Sequence, residues 1–414
     1  MNRLPAWALL IAGAALIALS VMGLVFSVHT SAKVFYFALL ITGIASLAGG
    51  YRKNSHPSEF GEHDAMGRFM AAAFVASVAL AAVLATLAHA TTPGNNGMIA
   101  FTRYRLQNAP IWSEIFVVNP DGSGLRRVSH STVAVEDDQA HWSPDGKWIV
   151  FDRCTSKGPC SLWLVRPDGT GQRRLSPPCP ASRRSSVCAD DSGPSFAPDG
   201  QHVVFTHEWG RIKPTSLGDQ IQHSAIATVD LQGKHLTLLR QLPPYAGDLQ
   251  APRISPNGQL IVFDRYNSAS ARPAGGDALL VSNLNGGPAR QLTPWRLSAG
   301  SPDWSPDSKQ VLFKQFIQGA SELTPGTNLY TIGVNGTDLR RVTNVGASDY
   351  VLAGSFSPDG TSIVYATDLG ATPNPVGNTF ADINTMPLAG GPPTQVTRAA
   401  NLDGWPTWGP SATG

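Results

Sequence analysis

Eight acidic side chains share a recurrent position in the last three-quarters of the chain: Glu136, Asp137, Asp138, Asp190, Asp191, Asp248, Asp349 and Asp403. Each falls shortly before an aromatic or apolar residue that opens a run of strand-forming residues. Carboxylates brought together from several such positions would form a negative rim suited to a cation, calcium among them, or to a basic peptide. Taken singly, each aspartate also suits the bland role of capping a turn or bonding nearby backbone. Four cysteines form a second constellation. Cys154 and Cys160 enclose one short loop, and Cys179 and Cys188 enclose a longer one. With no CxxC spacing and no histidine inside the cluster, two local disulfides in an oxidising compartment fit better than zinc. Three connectivities are open to four cysteines. His141, His207 and His223 can reach the same region but show no metal-ligand spacing. No nucleophile elbow, Walker loop, HExxH or dinucleotide fingerprint appears.

The element that must position these residues is a repeat, which runs through the chain from about residue 97. Its unit begins aromatic-Ser-Pro-Asp-Gly, continues through two strands and ends in Arg-Arg-Val-Thr. Trp142, Phe196, Ile254, Trp304, Phe356 and Trp408 open successive copies, 54, 58, 50, 52 and 52 residues apart. Short β-rich runs separated by Pro-Asp-Gly and Asn-Gly turns read as strands and hairpins. Four strands per repeat around an axis make a β-propeller. The array is entered at Met98–Phe101, a second strand, and the first strand this copy lacks stands at 404–409. Six blades are therefore expected over 97–410, with blade one closed by the C-terminal strand. The opening aromatics are expected in the core between blades. The Arg-Arg pairs at 126, 173 and 340 fall on outermost strands, where they would block edge-to-edge pairing. Asp152-Arg153 and Asp264-Arg265 read as local ion pairs.

Strand alternation puts the short, uniform Pro-Asp-Gly turns on one face. The long, dissimilar connections, such as His207–Ser224 and Asp264–Asp277, lie on the other. Binding residues concentrate on variable loops held by a rigid scaffold, so the long-loop face is where function is expected.

Before the repeat, residues 1–90 hold three apolar runs, about 4–28, 34–50 and 69–88, joined to the propeller by a linker at 91–96. A membrane-spanning helix needs about 20 apolar residues, so three transmembrane helices are expected. Arg52, Lys53 and Arg68 place the loop between the second and third in the cytoplasm. The propeller is then outside, on a multi-pass membrane protein. A first run cleaved as a signal peptide leaves the same domain outside. The chain has 31 basic and 29 acidic residues, and the excess lies wholly in residues 1–96. The balanced propeller gives no basic footprint for nucleic acid.

The Ser-Pro-Asp-Gly repeats with Arg-Arg-Val-Thr endings resemble the propeller of the TolB family, and similar repeats occur in prolyl-oligopeptidase-type peptidases. The resemblance covers about 97–410 and implies a six-bladed propeller. Its motif residues are turn and packing residues, so it implies less about activity. The small α/β domain that precedes the TolB propeller has no counterpart, the three apolar runs standing in its place. Only four residues follow Pro410, leaving no room for a hydrolase domain. The expected function is a protein- or peptide-binding scaffold of the bacterial cell envelope, with no cofactor unless calcium occupies the rim. The alternative is an envelope hydrolase or lyase acting on the long-loop face.

Overall fold

The computed structural model describes residues 94–411 except 106–111, 156–157, 177–188, 216–217, 268–275, 317–325, 347–348, 368–380 and 399–400. Its strands fall in chain order into groups of four. The first group comprises β1 (Asn96–Arg105), β2 (Trp112–Val118) and β3 (Arg126–Arg127), completed from the far end of the chain. The second is β4 (Val135–Trp142), β5 (Ile149–Thr155), β6 (Gly158–Val165) and β7 (Arg173–Arg174). The third is β8 (Asp190–Phe196), β9 (His202–Thr215), β10 (Gly218–Asp230) and β11 (Thr237–Gln241). The fourth is β12 (Gly247–Ile254), β13 (Leu260–Asn267), β14 (Asp277–Asn283) and β15 (Arg290–Gln291). The fifth is β16 (Ala299–Trp304), β17 (Gln310–Gln315), β18 (Leu329–Gly333) and β19 (Arg340–Arg341). The sixth is β20 (Val351–Phe356), β21 (Ser362–Thr367), β22 (Asp382–Pro387) and β23 (Thr394–Gln395). The last strand, β24 (Leu402–Pro410), pairs antiparallel with β1 and makes the innermost strand of blade one. A parallel bridge between Ser113 and Glu136 links blades one and two.

The repeat motif explains the blade. Ser143, Ser255, Ser305 and Ser357 each turn a hydroxyl onto the Asp or Asn two residues on, at 2.6–2.7 Å, which locks the first turn. At the other end, the hydroxyls of Ser129, Ser176, Thr293, Thr343 and Thr397 accept the backbone N–H of the third strand at 2.8–3.0 Å. The opening aromatics are buried, Trp304 and Phe356 completely.

The outer-strand arginines do more than guard an edge. Arg126, Arg173, Arg240, Arg290 and Arg340 each donate to a backbone carbonyl in the next blade, at Pro167, Leu231, Gly287, Val334 and Leu388 respectively. Five of the six seams carry this clasp. At the seam from blade six to blade one the corresponding residue is Thr394.

The expected fold class, three transmembrane helices ahead of the propeller, is corrected to all-β. Among the described residues no helix is long and apolar enough to cross a membrane, and the helical element described is a 3-10 turn at Trp295–Leu297. Segments 4–28, 34–50 and 69–88 lie outside the described residues. An apolar run meets a length criterion for crossing a bilayer, but it specifies nothing about packing. The propeller closes through the β1–β24 pairing and draws no helix into its sheets.

Candidate functional site

All six innermost strands break register midway, between Asp138 and His141 in blade two and at the corresponding places elsewhere. The bulge residue adopts a left-handed backbone in five of them: Gln139, Gly193, Ala251, Ser301 and Trp405, with φ between 46° and 63°. A bulge re-aims the side chains that follow it. Two residues on, a polar side chain reaches into the ring. His141 accepts the Phe196 N–H at 3.2 Å, Asp303 the Phe356 N–H at 2.7 Å and Ser355 the Trp408 N–H at 3.3 Å. Thr407 donates to the Ala140 carbonyl at 3.2 Å. Polar residues beside the channel are thus part of the blade-to-blade lock.

Two residues before the bulge, three blades carry an acid facing a base across the strand pair. Asp403 meets Arg103 through two hydrogen bonds of 2.6 and 2.7 Å. Asp137 meets Arg153 through two of 2.5 and 2.7 Å. Asp191 meets His207 at 2.7 Å. The register sets these partners directly opposite one another. In blades four, five and six the same positions hold Leu249 and Arg265, Ala299 and Gln315, and Val351 and Thr367. Burial pushes the Asp137 and Asp403 carboxyls up from the usual range, while Arg153 and Arg103 pull against that.

The eight expected rim residues therefore divide. Asp137, Asp191 and Asp403 are buried and held by bases. Asp248 is buried on β12, and Asp349 precedes β20, its carboxylate accepting the Gly346 N–H. Asp190 accepts the Cys160 N–H at 3.0 Å. Glu136 and Asp138, on β4, are half-buried. Asp138 faces Asp152 of β5 across the pair, a residue the sequence reading assigned elsewhere. Arg153 does not pair with its neighbour Asp152 but with Asp137, and Arg265 donates to Asn267 at 3.1 Å. The local ion pairs expected of these dipeptides are not formed, because neighbours in a strand point to opposite faces.

Around Asp138 the environment is negative. Thr102 and Tyr104 of blade one donate to its two oxygens. Burial raises its carboxyl to about 6, those hydrogen bonds working the other way. Burial, then the charge of Asp138, raises Glu136 to about 8. Asp152 is pushed well above the usual range by burial and by Asp138. Its Oδ2 accepts the Gly193 N–H at 3.1 Å, and Oδ1 has no hydrogen-bond partner. Arg253, fully buried, donates to the carbonyls of Gly193 and Pro252. Burial lowers it to about 9, while Asp303 and Asp152 oppose the shift. This guanidinium of blade four thus interacts with residues of blades two, three and five. Among the described residues no group of three or more His, Cys, Asp or Glu is arranged to hold a metal ion.

A second feature was missed in the sequence. The connection His207–Ser224, read as a loop, is largely strand. β9 runs 14 residues and β10 runs 13, paired out to Thr215 and Gly218. Trp209 stacks on His223 at 5.0 Å and contacts His207 at 5.0 Å, bracing the base of the ribbon. From Trp209 to Thr215 the ribbon extends about 20 Å. Among the described residues, no third strand pairs with Ile212–Thr215 or Gly218–Ile221. The alternation of Ile221, His223 and Ala225 with polar residues was the available signal. A Cys154–Cys160 disulfide closes the corresponding hairpin of blade two, and Cys179 and Cys188 lie outside the described residues.

Comparison with known structures fixes the architecture. TolB from Acinetobacter baumannii superposes with a TM-score of 0.56 at 19% identity, covering 83% of this chain and 73% of that one. The fold is a TolB-like β-propeller. A puromycin hydrolase matches at TM-score 0.50 and 15% identity over 78% of this chain and 55% of its own, so this architecture also serves within a hydrolase. An uncharacterized protein of Agrobacterium fabrum is 26% identical over 155 residues, 37% of this chain. The chain spans about half the length of that relative, 47%. No family model matches the sequence.

Proposed function

We propose that this propeller is a binding module of the cell envelope that holds a protein or peptide segment on its long-loop face, outside the cytoplasm. The observation that carries the reading is the part of the β9–β10 ribbon that, among the described residues, no third strand joins. A projecting strand pair with open edges presents rows of backbone N–H and C=O groups, and an extended segment can add to them as a further strand. The ribbon rises from the second and third strands of its blade, on the side where the long connections lie, away from the locked Ser-Pro-Asp-Gly turns. The Cys154–Cys160 disulfide supports an oxidising compartment.

The test is to replace residues 211–220 by an Asn-Gly turn, which preserves the pairing of β8, β9, β10 and β11 nearer the axis. The thermal midpoint should stay within about 2 °C, since no core residue is removed. Protein that co-purifies with the full-length chain should be lost. Retention of the same partner by the shortened protein would overturn the reading.

A further inference from the structure

We infer that Glu136, Asp138 and Asp152 form a receptor site for a protonated nitrogen, the ammonium or guanidinium of a basic side chain. This rests on the proposal that the loop face holds a peptide segment, and it names the chemistry of that segment.

Asp138 and Asp152 stand opposite each other on β4 and β5, and Glu136 lies two residues back on β4, on the same side of the strand. Glu136 and Asp138 are half-buried, and Asp152 is fully buried. Asp152 Oδ2 accepts the Gly193 N–H, and its buried Oδ1 has no hydrogen-bond partner. A buried polar atom left without a partner costs about 1–3 kcal/mol, and a donor supplied by a ligand removes that cost.

The surroundings supply one buried positive charge that acts on Asp152, that of Arg253. From β1 come Thr102 and Tyr104, neutral donors. From β5 comes Arg153, bound to Asp137. From β8 comes Asp190, a further acid, occupied by the Cys160 N–H. From β12 comes Arg253, whose Nη1 donates to two backbone carbonyls, whose Nε and Nη2 have no hydrogen-bond partner, and whose charge acts on Asp152. In the empty site, protons take the place of a counter-charge, with Glu136 titrating at about 8 and Asp138 at about 6. A ligand cation exchanges with those protons, so affinity rises with pH. An ammonium addresses each carboxylate through a separate N–H and needs no closed coordination shell.

The experiment is calorimetric titration of the full-length protein with an N-acetylated, amidated (Ala-Lys)3 peptide, its arginine counterpart, its acetyl-lysine counterpart, and calcium chloride. At pH 8.5 the lysine or the arginine peptide should bind and the acetyl-lysine peptide should not; the stronger of the two identifies the preferred cation. Affinity should fall at least tenfold at pH 5.5. Glu136→Gln with Asp138→Asn, and separately Asp152→Asn, should each weaken binding at least tenfold without lowering the thermal midpoint. Unchanged affinity in these variants, equal binding of the acetylated peptide, displacement by calcium at equal concentration, or no binding at pH 8.5 would each overturn the inference. If the basic peptides fail while ribbon shortening still removes the co-purifying partner, the ammonium site falls and the binding-module reading stands.

Discussion

Asp403 and Arg103 stand 300 residues apart in sequence and meet through two hydrogen bonds of 2.6 and 2.7 Å inside blade one. The pair fastens the last strand of the chain to the first strand of the propeller, where the ring closes. Arg103 also lies over the rings of Phe101 and Phe116, at 5.3 and 4.8 Å. Removing one member leaves a buried charge without its partner, which typically costs about 3–5 kcal/mol. Asp403→Val should destabilise the protein by that amount in urea unfolding. The double variant Arg103→Thr with Asp403→Val copies the Thr367 and Val351 pair of blade six. It should be less destabilising than Asp403→Val alone, and equal or greater loss would show that the charge pair itself holds the ring closed.

The inter-blade clasps predict additive losses. Arg173→Met and Arg340→Met each remove one hydrogen bond from a charged donor to a backbone carbonyl. Each should cost about 1 kcal/mol, because the donors are exposed and water competes. The two seams share no partner, so the double variant should show the sum within about 0.5 kcal/mol. Thr394→Arg supplies the sixth seam with a clasp to blade one and should raise the unfolding midpoint.

Stability should fall as pH rises. Glu136 and Asp138 hold protons in the folded state to about 8 and 6, above the ordinary carboxyl values that the unfolded chain follows. The folded protein therefore binds more protons between pH 4 and 8, and stability decreases through that window. Glu136→Gln with Asp138→Asn should flatten the dependence and raise the thermal midpoint at pH 8.5. Thermal scans from pH 5 to 9 measure both effects; a wild-type midpoint that climbs with pH would contradict the assigned environment.

The disulfide closes a short hairpin, Cys154 and Cys160 being six positions apart in sequence. In the chain-entropy account a loop of that length contributes about 2 kcal/mol. Changing both cysteines to alanine should lower stability by about that much, read by urea unfolding without reductant.

The propeller was legible in the sequence because its signals are local. The Ser-Pro-Asp-Gly turn needs only a serine, an aspartate and a glycine within four residues, and the opening aromatics mark the repeat. What could not be read depends on register. Arg153 follows Asp152 in sequence, yet it faces Asp137 because adjacent strand residues point oppositely and a bulge sets which residues oppose. Recognising Asp137, Asp191 and Asp403 as equivalent members of acid–base pairs requires the bulge position in each blade, which no local pattern marks. The clasp arginines likewise bond to the neighbouring blade, a contact fixed by ring geometry. The ribbon of blade three counts as a loop in the sequence because it is a long connection unlike those of the other blades; in the structure a two-stranded ribbon accommodates Gly210 and Pro214 within β9.

The binding-face account is tested most directly by site-specific photo-crosslinking in cells producing the full-length protein. Ile212 on the ribbon and Val133 on the connection into β4 are exposed apolar positions on the long-loop side, 43% and 61% accessible. Leu125 and Leu339, 45% and 47% accessible, flank the short turns on the other side. A photoreactive residue at Ile212 or Val133 should give a discrete protein adduct that is lacking at Leu125 and Leu339. Adducts confined to Leu125 and Leu339, or none at any of the four, would contradict it.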